Sequence, residues 1–234
     1  MSERFRVVLV EPEYQINVGA VARVMKNFGF SELFLVNPKC DYLGIDAIKH
    51  SKHAREILEK AQVKGSFEEA VTGCSIVAGT SGVLYRHWHK TLRLPLSLIQ
   101  FKKLLSEKPH YKVALVFGNE GRGLSERDIS SCDLLVTIPT NPDYPILNLS
   151  HAVAIVLYEL SDLPYAGYNA AGEKEKKQLL QAFFSLVEHY KDSLRNPNKT
   201  KVAFRRMVGK AMLADKECAA VLGVIKRALR ELEQ

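Results

Sequence analysis

Short apolar segments alternate along the chain with stretches whose apolar residues repeat at helical spacing. The segments "RFRVVLVEP", "ELFLVNP", "CSIVAGTSG", "YKVALVFGNEG" and "LLVTIPT" are typical of buried strands. A strand that is apolar along its whole length favours a sheet covered on both faces, and the intervening helices supply crossovers between parallel strands. The pattern therefore predicts an α/β fold, Rossmann-like, around a mostly parallel sheet. One polar helix is expected around "DAIKHSKHAREILEKA" (46–61).

The pattern changes after Leu163. Pro, Gly, Asn and small residues in 164–172 predict a linker, and residues 173–234 have helical spacing only. We therefore expect an α/β domain over 1–163 and a small α-helical extension over 173–234. Its apolar faces are expected on Leu179, Leu180, Phe183, Leu186, Val187 and Tyr190, and on Val221, Leu222, Val224, Ile225, Ala228, Leu229 and Leu232.

Positive charge is concentrated in the extension. Residues 173–234 hold 14 Lys and Arg against 8 Asp and Glu, so they carry 6 of the 7 net positive charges. Such a segment favours a polyanionic partner, with nucleic acid the first candidate, and a solvated helical surface is the alternative. Arg205, Arg206 and Lys210 are expected to project from a short central helix of this segment.

Several classes of protein are disfavoured. No apolar stretch is long enough to span a bilayer, and the N-terminal segment enters a strand pattern instead of offering a signal peptide. The four cysteines are scattered and form no CxxC pair, so neither disulfides nor structural zinc are expected. His87 and His89 lack an acidic or cysteine partner, so we expect no metal. The chain is expected to be a cytoplasmic enzyme or binding protein.

A glycine-rich loop follows one of the strands. In "VFGNEGRGLS" (116–125), glycines 118, 121 and 123 surround Glu120 and let a ligand approach the backbone closely. The standard phosphate-binding spacings are absent, so a tight structural turn is an alternative. Two further loops, 78–82 and 138–152, also follow strands, where open parallel sheets assemble their sites. Three such loops favour a nucleotide-like ligand.

Three segments carry a resemblance to a known family. "NVGAVAR" (17–23), "LVFGNEGRGLS" (115–125) and "IPTNPDYPILNLSHAVAIVLYE" (138–159) resemble, in order, the three motifs of the SPOUT RNA methyltransferases, in their TrmH-like branch. The opening "LVEPEYQINVGAVARVMKNFGF" is most similar to TrmJ-type tRNA 2′-O-methyltransferases. The resemblance covers residues 5–162.

This resemblance implies a fold and an activity. It implies a SPOUT domain over 1–163 with a C-terminal trefoil knot, a homodimer, and S-adenosylmethionine as cofactor. The implied reaction is methylation of a tRNA ribose 2′-hydroxyl, at nucleotide 32 of the anticodon loop for this group. An rRNA 2′-O-methyltransferase and a non-catalytic RNA-binding or assembly factor of the same fold are the alternatives.

The resemblance also implies roles for individual residues. Arg23 matches the arginine that acts on the target ribose, and the other implied catalytic residues are Asn17, Glu120 and Ser150. The family's cofactor positions match Thr80, Ser81, Gly82, Gly118, Asn119, Glu120, Gly121, Ile138, Leu147 and Asn148. Ile146 stands where some relatives have serine, so no side-chain hydroxyl is expected there.

Two chemical points refine these roles. A guanidinium has no acceptor and stays protonated, so we interpret Arg23 as a phosphate clamp and oxyanion stabiliser, not as a base. The segment "YRHWHK" (85–90) interleaves aromatic and basic residues, a composition suited to stacking unpaired bases and contacting phosphates. The RNA contacts expected from it are Arg86, His87, Trp88 and Lys90.

Overall fold

The chain consists of two compact units, Met1–Gly167 and Tyr168–Gln234. A computed structural model describes residues 4–82, 95–163, 173–211, 213 and 215–232 of the 234-residue chain. The first unit has strands and helices, and the described part of the second is helical. Among the helices of these ranges, none combines the length and apolarity that crossing a membrane requires.

The first unit is built on a seven-stranded sheet. Its strands are β1 (Phe5–Val10), β2 (Glu32–Val36), β3 (Gln62–Lys64), β4 (Ile76–Thr80), β5 (Leu96–Ser97), β6 (Val113–Phe117) and β7 (Leu134–Thr137). They lie in the order β3-β2-β1-β6-β4-β7-β5, and every neighbouring pair is parallel. The predicted mostly parallel α/β sheet is confirmed.

Helices connect the strands. In this unit they are α1 (Gln15–Asn27), α2 (Ile45–Ser51), a 3₁₀ turn (Lys52–Ala54), α3 (Arg55–Glu59), α4 (Phe67–Val71), α5 (Leu98–Ser106), α6 (Glu126–Ser131) and α7 (Leu149–Leu160). Ser97 and Ser125 open α5 and α6 with reciprocal capping boxes, which satisfy amide groups that a helix leaves free at its start.

Both faces of the sheet are buried. All six residues of β1 are buried. Val8 and Val10 belong to a core cluster with Phe67 and Ala70 of α4, whereas the alternating Val7 has no exposed surface on the other face. Burial on both faces explains why the central strands are mostly apolar and do not alternate between apolar and polar residues.

The prediction of a single polar helix over 46–61 is wrong. The segment divides into α2, the 3₁₀ turn and α3, because Lys52 has a φ of 53° and a ψ of −116°, which no α-helix accommodates. Ser51 is buried, and its hydroxyl donates to the carbonyl of Ile48 at 2.8 Å, which competes with continued helical bonding at the break.

The second unit contains three helices, α8 (Glu173–His189), α9 (Pro197–Ala211) and α10 (Asp215–Leu232). Its core is formed by Leu179, Val208, Cys218, Leu222 and Ile225. The rings of Phe183 and Phe204 stack on each other, with their centroids 3.7 Å apart, and both pack against this core.

The prediction of the apolar faces of this unit is partly wrong. Val221 and Val224 are 41% and 71% exposed, and Tyr190 is also exposed. The buried stripe of α10 begins at Cys218 and continues through Leu222 and Ile225, at spacings of four and three residues. Val221 and Val224 lie off this stripe because each successive residue turns by about 100° around the helix.

Candidate functional site

A cavity of about 330 Å³ lies where β4, β6 and β7 end. These three strands are adjacent in the sheet, so the loops that follow them meet at its carboxyl edge. The lining residues are Thr80, Ser81, Gly82, Phe117, Gly118, Asn119, Glu120, Gly121, Arg122, Gly123, Leu124, Ile129, Val136, Ile138, Pro145, Ile146, Leu147, Leu149 and Ala152. All the cofactor positions implied by the resemblance lie in this lining except Asn148.

The glycine-rich loop after β6 forms a tight turn. A Cβ at Gly118 would overlap the backbone of Gly123 and Leu124, and Gly123 has a φ of 71°. The Asn119 side chain closes the turn by accepting from the amides of Gly121, at 2.8 Å, and Arg122, at 3.1 Å. The loop is thus a structural turn and a cavity wall together, so these two interpretations do not exclude each other.

The loop after β4 is held to neighbouring strands, and the loop after β7 is held by a bond within itself. The Thr80 hydroxyl donates to the carbonyl of Val116 at 3.0 Å, and the Ser81 amide donates to that of Val136 at 3.0 Å. Across the cavity, the Thr140 hydroxyl donates to the carbonyl of Pro145 at 3.0 Å. The cavity wall is therefore formed largely by backbone groups in fixed positions.

Glu120 binds the start of α1. Its carboxylate accepts from the amides of Glu13, at 3.0 Å, and Tyr14, at 3.4 Å, and from the side-chain amide of Asn17, at 2.9 Å. The N-cap residue Tyr14 provides no side-chain cap, so Glu120 supplies the negative charge that the start of this helix favours. The α6 helix that follows Glu120 is capped by Ser125 instead.

Asn17 joins all three sequence motifs. While its amide group donates to Glu120, its Oδ1 accepts from the Asn148 amide at 3.1 Å. Asn148 caps α7, because its Oδ1 accepts from the Ser150 amide at 2.9 Å and from the Ser150 hydroxyl at 2.8 Å. The four polar residues therefore form one hydrogen-bonded chain beside the cavity.

Glu11 is a site residue that the sequence pattern missed. Its carbonyl accepts from the Asn119 side chain at 2.8 Å, and its carboxylate forms ion pairs with Lys39 and Arg122, each at 3.0 Å. Glu11 has a φ of 50°, an uncommon conformation for a residue with a side chain. A glutamate directly after the strand was the only signal in the sequence, and it indicated no partner.

Arg23 lies on the exposed side of α1. Its guanidinium makes no hydrogen bond or ion pair with another described residue, and the described residues lining the cavity do not include it. A guanidinium that is exposed and has no partner among the described residues is available to a substrate that approaches from solvent.

The residues expected to contact RNA have different surroundings. Arg86, His87, Trp88 and Lys90 lie outside the described residues. In the second unit, Lys210 is exposed, but Arg205 and Arg206 are half-buried. The Arg205 guanidinium lies 5.6 Å from the centroid of the Phe184 ring. The two arginines thus do not project freely, because the turns of α9 that carry them pack on the core of the unit.

The Cys40 thiol is not activated as a nucleophile. Burial raises the pKa of the Cys40 thiol above its ordinary value, and the Glu120 carboxylate raises it further, so the thiol stays protonated at neutral pH. Within the described ranges, no three His, Cys, Asp or Glu residues are grouped as a metal site would require.

Replacing Glu120 with Gln is expected to destabilise the first unit. Glutamine keeps one acceptor oxygen but places an NH₂ group where the other stood, facing either the Glu13 amide or the donors of Tyr14 and Asn17, so at least one part-buried donor loses its acceptor. We expect the free energy of unfolding to fall by about 1–3 kcal/mol. Urea denaturation measures this loss. In the control Glu126→Gln, an exposed residue, the change should be within about 0.5 kcal/mol, and equal stability of the two variants would contradict the role of Glu120.

Comparisons with known proteins agree with this geometry. Residues 4–158 match the model of the SpoU rRNA Methylase family. The chain is 36% identical over 229 residues to "tRNA (cytidine-2′-O-)-methyltransferase TrmJ" of Methanocaldococcus jannaschii, a match covering 94% of this chain and 97% of that protein.

Solved structures share the fold. The crystal structure of TrmJ from Z. mobilis ZM4 has a TM-score of 0.76 at 27% identity, over 98% of this chain and 99% of that one. The SpoU methyltransferase AviRb from Streptomyces viridochromogenes, solved with AdoMet, has a TM-score of 0.54 over 69% of this chain and 60% of that one. At 20% identity, the second comparison shows a likeness of fold alone.

Proposed function

The chain belongs to the SpoU rRNA methylase family and is an S-adenosylmethionine-dependent RNA 2′-O-methyltransferase, and on this premise we propose that it methylates the ribose of nucleotide 32 in the tRNA anticodon loop. The nearly full-length match to the M. jannaschii tRNA methyltransferase supports tRNA as the substrate. That relative is a cytidine-2′-O-methyltransferase, which favours cytidine as the nucleoside. The choice of nucleotide 32 rests on the resemblance of the opening segment to TrmJ-type enzymes.

The cavity residues fit the cofactor. At about 330 Å³ the cavity is at the lower end of the range for small-molecule sites. Gly118 lines the cavity, and the backbone of Gly123 and Leu124 leaves no room for a side chain on it, so the tight turn of this cavity wall requires glycine there. Leu124, Ile138 and Leu147 provide apolar surface for an adenine ring, and the loop starting at Thr80 provides backbone hydrogen-bonding groups.

The proposed mechanism relies on positioning. When bound, S-adenosylmethionine supplies an electrophilic methyl group on its sulfonium sulfur. The hydrogen-bonded chain through Glu120, Asn17 and Asn148 fixes the start of α1 to the cavity wall, which holds the helix that carries Arg23. Arg23 would clamp a substrate phosphate and stabilise negative charge that develops on the ribose oxygen. Its guanidinium cannot accept the ribose proton.

We further propose that the chain threads a trefoil knot around the cavity. The strand order supports this proposal, because β7 is inserted between β4 and β5, two strands that precede it in the chain. The loop of residues 138–148, which follows β7, lines the cavity.

A homodimer is also proposed, through the exposed face of α7 and the start of α1. These helices pack side by side and expose apolar side chains, with Tyr14 and Tyr158 58% and 67% exposed. Analytical ultracentrifugation should give twice the 26.3 kDa of one chain. The variant Ile155→Asp on α7 should shift the protein towards monomer, because a charge would be buried in the interface.

The control for this prediction is Ile99→Asp, which changes an exposed isoleucine on α5. This variant should remain dimeric. A wild-type protein that sediments as a monomer would contradict the homodimer, and a dimeric Ile155→Asp variant would contradict the interface.

The basic residues of the second unit are proposed to bind the tRNA backbone. Its positive charge supports this proposal, and Lys210 is an exposed member. Arg205 and Arg206 keep part of their surface in solvent and remain proposed contacts.

The match to the SpoU rRNA Methylase family makes rRNA the second candidate substrate. Methyl transfer from labelled S-adenosylmethionine to unmodified tRNA transcripts and to rRNA fragments distinguishes the two. Transfer to tRNA alone supports the proposal, whereas transfer to rRNA alone overturns the choice of substrate. Cofactor binding without transfer to either RNA would favour a non-catalytic RNA-binding factor.

A further inference from the structure

The segment from α2 to α3 lies along α1, the helix that carries Arg23. At one end, the Gln15 side chain accepts from the Asp46 amide at 3.2 Å. At the other end, the Lys26 ammonium forms an ion pair with Glu56 at 2.7 Å. The α2 helix and the 3₁₀ turn therefore lie beside the stretch of α1 between these two contacts, which includes Arg23.

Three cations in this region have no partner. Arg23, Lys49 and Lys52 are exposed, and none of them forms a hydrogen bond or ion pair with another described residue. The nearby carboxylates are mostly neutralised: Glu56 pairs with Lys26, and Glu59 pairs with Arg55 at 2.8 Å. Asp46, exposed at the start of α2, is the remaining acidic group on that helix. The surface is thus positive and available to an anionic partner.

Histidines lie beside these cations. His50 is half-buried, and its Nδ1 lies 2.7 Å from the Asp46 carbonyl. His53 is exposed on the 3₁₀ turn. Because a carbonyl only accepts, Nδ1 of His50 carries the proton of the neutral ring, which then has no second N–H for a phosphate. A neutral His53 ring can offer one donor to a phosphate oxygen.

Lys52 occupies an unfavourable backbone conformation. Its φ of 53° combined with a ψ of −116° lies outside the regions that residues with a Cβ prefer, and glycine adopts such conformations far more readily. Strained residues of this kind persist where the surrounding structure enforces them, and they cluster at functional sites. The chain carries a cation at a position where glycine would relieve the strain.

We propose that Lys49 and Lys52, together with Arg23, form a binding surface for the phosphate backbone of the RNA substrate. This surface gives the first unit RNA contacts of its own, additional to those of the basic second unit. The inference rests on the proposed function, since it assigns a further part of the substrate-binding surface. A row of ammonium groups and a guanidinium complements the regular charges of an RNA backbone.

Lys52→Gly tests the inference because loss of the charge should weaken tRNA binding, whereas relief of the strain should not lower the stability of the fold. Loss of the charge should weaken binding of a fluorescently labelled, unmodified tRNA transcript by about threefold and lower the salt slope of log affinity by about 1. Relief of strain should raise the thermal midpoint or leave it unchanged. Lys49→Ala should weaken tRNA binding to a similar extent, and the affinity for S-adenosylmethionine should not change in either variant.

Two further variants complete the test. Lys52→Arg keeps the charge and should bind tRNA as the wild type does. Lys103→Ala removes an exposed lysine from α5, which contacts α7 and not α2, and should also leave tRNA binding unchanged. Wild-type affinity and salt slope in both Lys52→Gly and Lys49→Ala would overturn the inference and show a merely solvated surface.

The inference and the proposed function can fail separately. Weaker tRNA binding by Lys52→Gly, with no methyl transfer by the wild type, would support the RNA surface and overturn the enzyme's proposed substrate. Methyl transfer to tRNA by the wild type, with unchanged tRNA binding in Lys52→Gly and Lys49→Ala, would support tRNA as the substrate and overturn the RNA surface. A wild type with no measurable affinity for tRNA would overturn both.

Discussion

Arg23→Ala is expected to lower the rate of methyl transfer by at least about 100-fold, the effect of removing a group that stabilises charge in a transition state. Arg23 is exposed and unpaired among the described residues, so its loss should leave the fold intact. Because it lies outside the cavity lining, affinity for S-adenosylmethionine should also be unchanged. Single-turnover methyl transfer, calorimetric cofactor titration and a thermal melt measure the three quantities.

Two further substitutions sharpen this experiment. Arg23→Lys keeps the charge but not the planar fork of donors, so it should recover only part of the rate. Arg127→Ala removes an exposed arginine on α6 that pairs with Glu68 and should retain wild-type turnover. Wild-type turnover in Arg23→Ala would remove this residue from the mechanism.

Gly118→Ala is expected to reduce affinity for S-adenosylmethionine by at least about tenfold. An added Cβ would overlap the backbone of Gly123 and Leu124, so the loop must shift, and overpacking of this kind costs about 1–3 kcal/mol. The shift would displace the backbone that lines one side of the cavity. Calorimetric titration with S-adenosylmethionine, combined with urea denaturation, separates the loss of affinity from the loss of stability.

Gly65→Ala is the control, at an exposed glycine outside the cavity lining. Its added Cβ would meet only the Glu69 side-chain oxygen, at 3.9 Å. This variant should bind the cofactor within about threefold of the wild type, since no backbone atom has to move. Equal cofactor affinities in the two variants would mean that the position of the loop at Gly118 does not determine cofactor binding.

The fold could be predicted from sequence where burial determines the residue pattern. β1, β2, β4, β6 and β7 are mostly apolar because both faces of the sheet are covered, so their segments were recognisable. The edge strands β3 and β5 have only three and two residues, which is too short for any periodicity. The break at Lys52 was not predictable, because helix propensity does not indicate that a lysine will adopt a positive φ.

The loops of the site could be predicted from the sequence, but the hydrogen bonds and ion pairs that join them could not. Glycines and small residues after three strands indicated the cavity wall. The partner of Glu120 could not be inferred, because it depends on strand order: β6 pairs with β1, which brings the glycine-rich loop beside the start of α1. The contacts of Glu11 with Lys39 and Arg122 depend on the same juxtaposition. The trefoil knot remains a prediction from the resemblance.

The most direct test of the central claim uses a tRNA transcript with a single 2′-deoxyribose at nucleotide 32. Methyl transfer from labelled S-adenosylmethionine is measured for this tRNA and for the same tRNA with ribose throughout. We expect stoichiometric methylation of the all-ribose tRNA and none of the substituted one, because the acceptor oxygen is missing. Equal methylation of both tRNAs would contradict nucleotide 32 as the target, and failure to methylate either would contradict tRNA as the substrate.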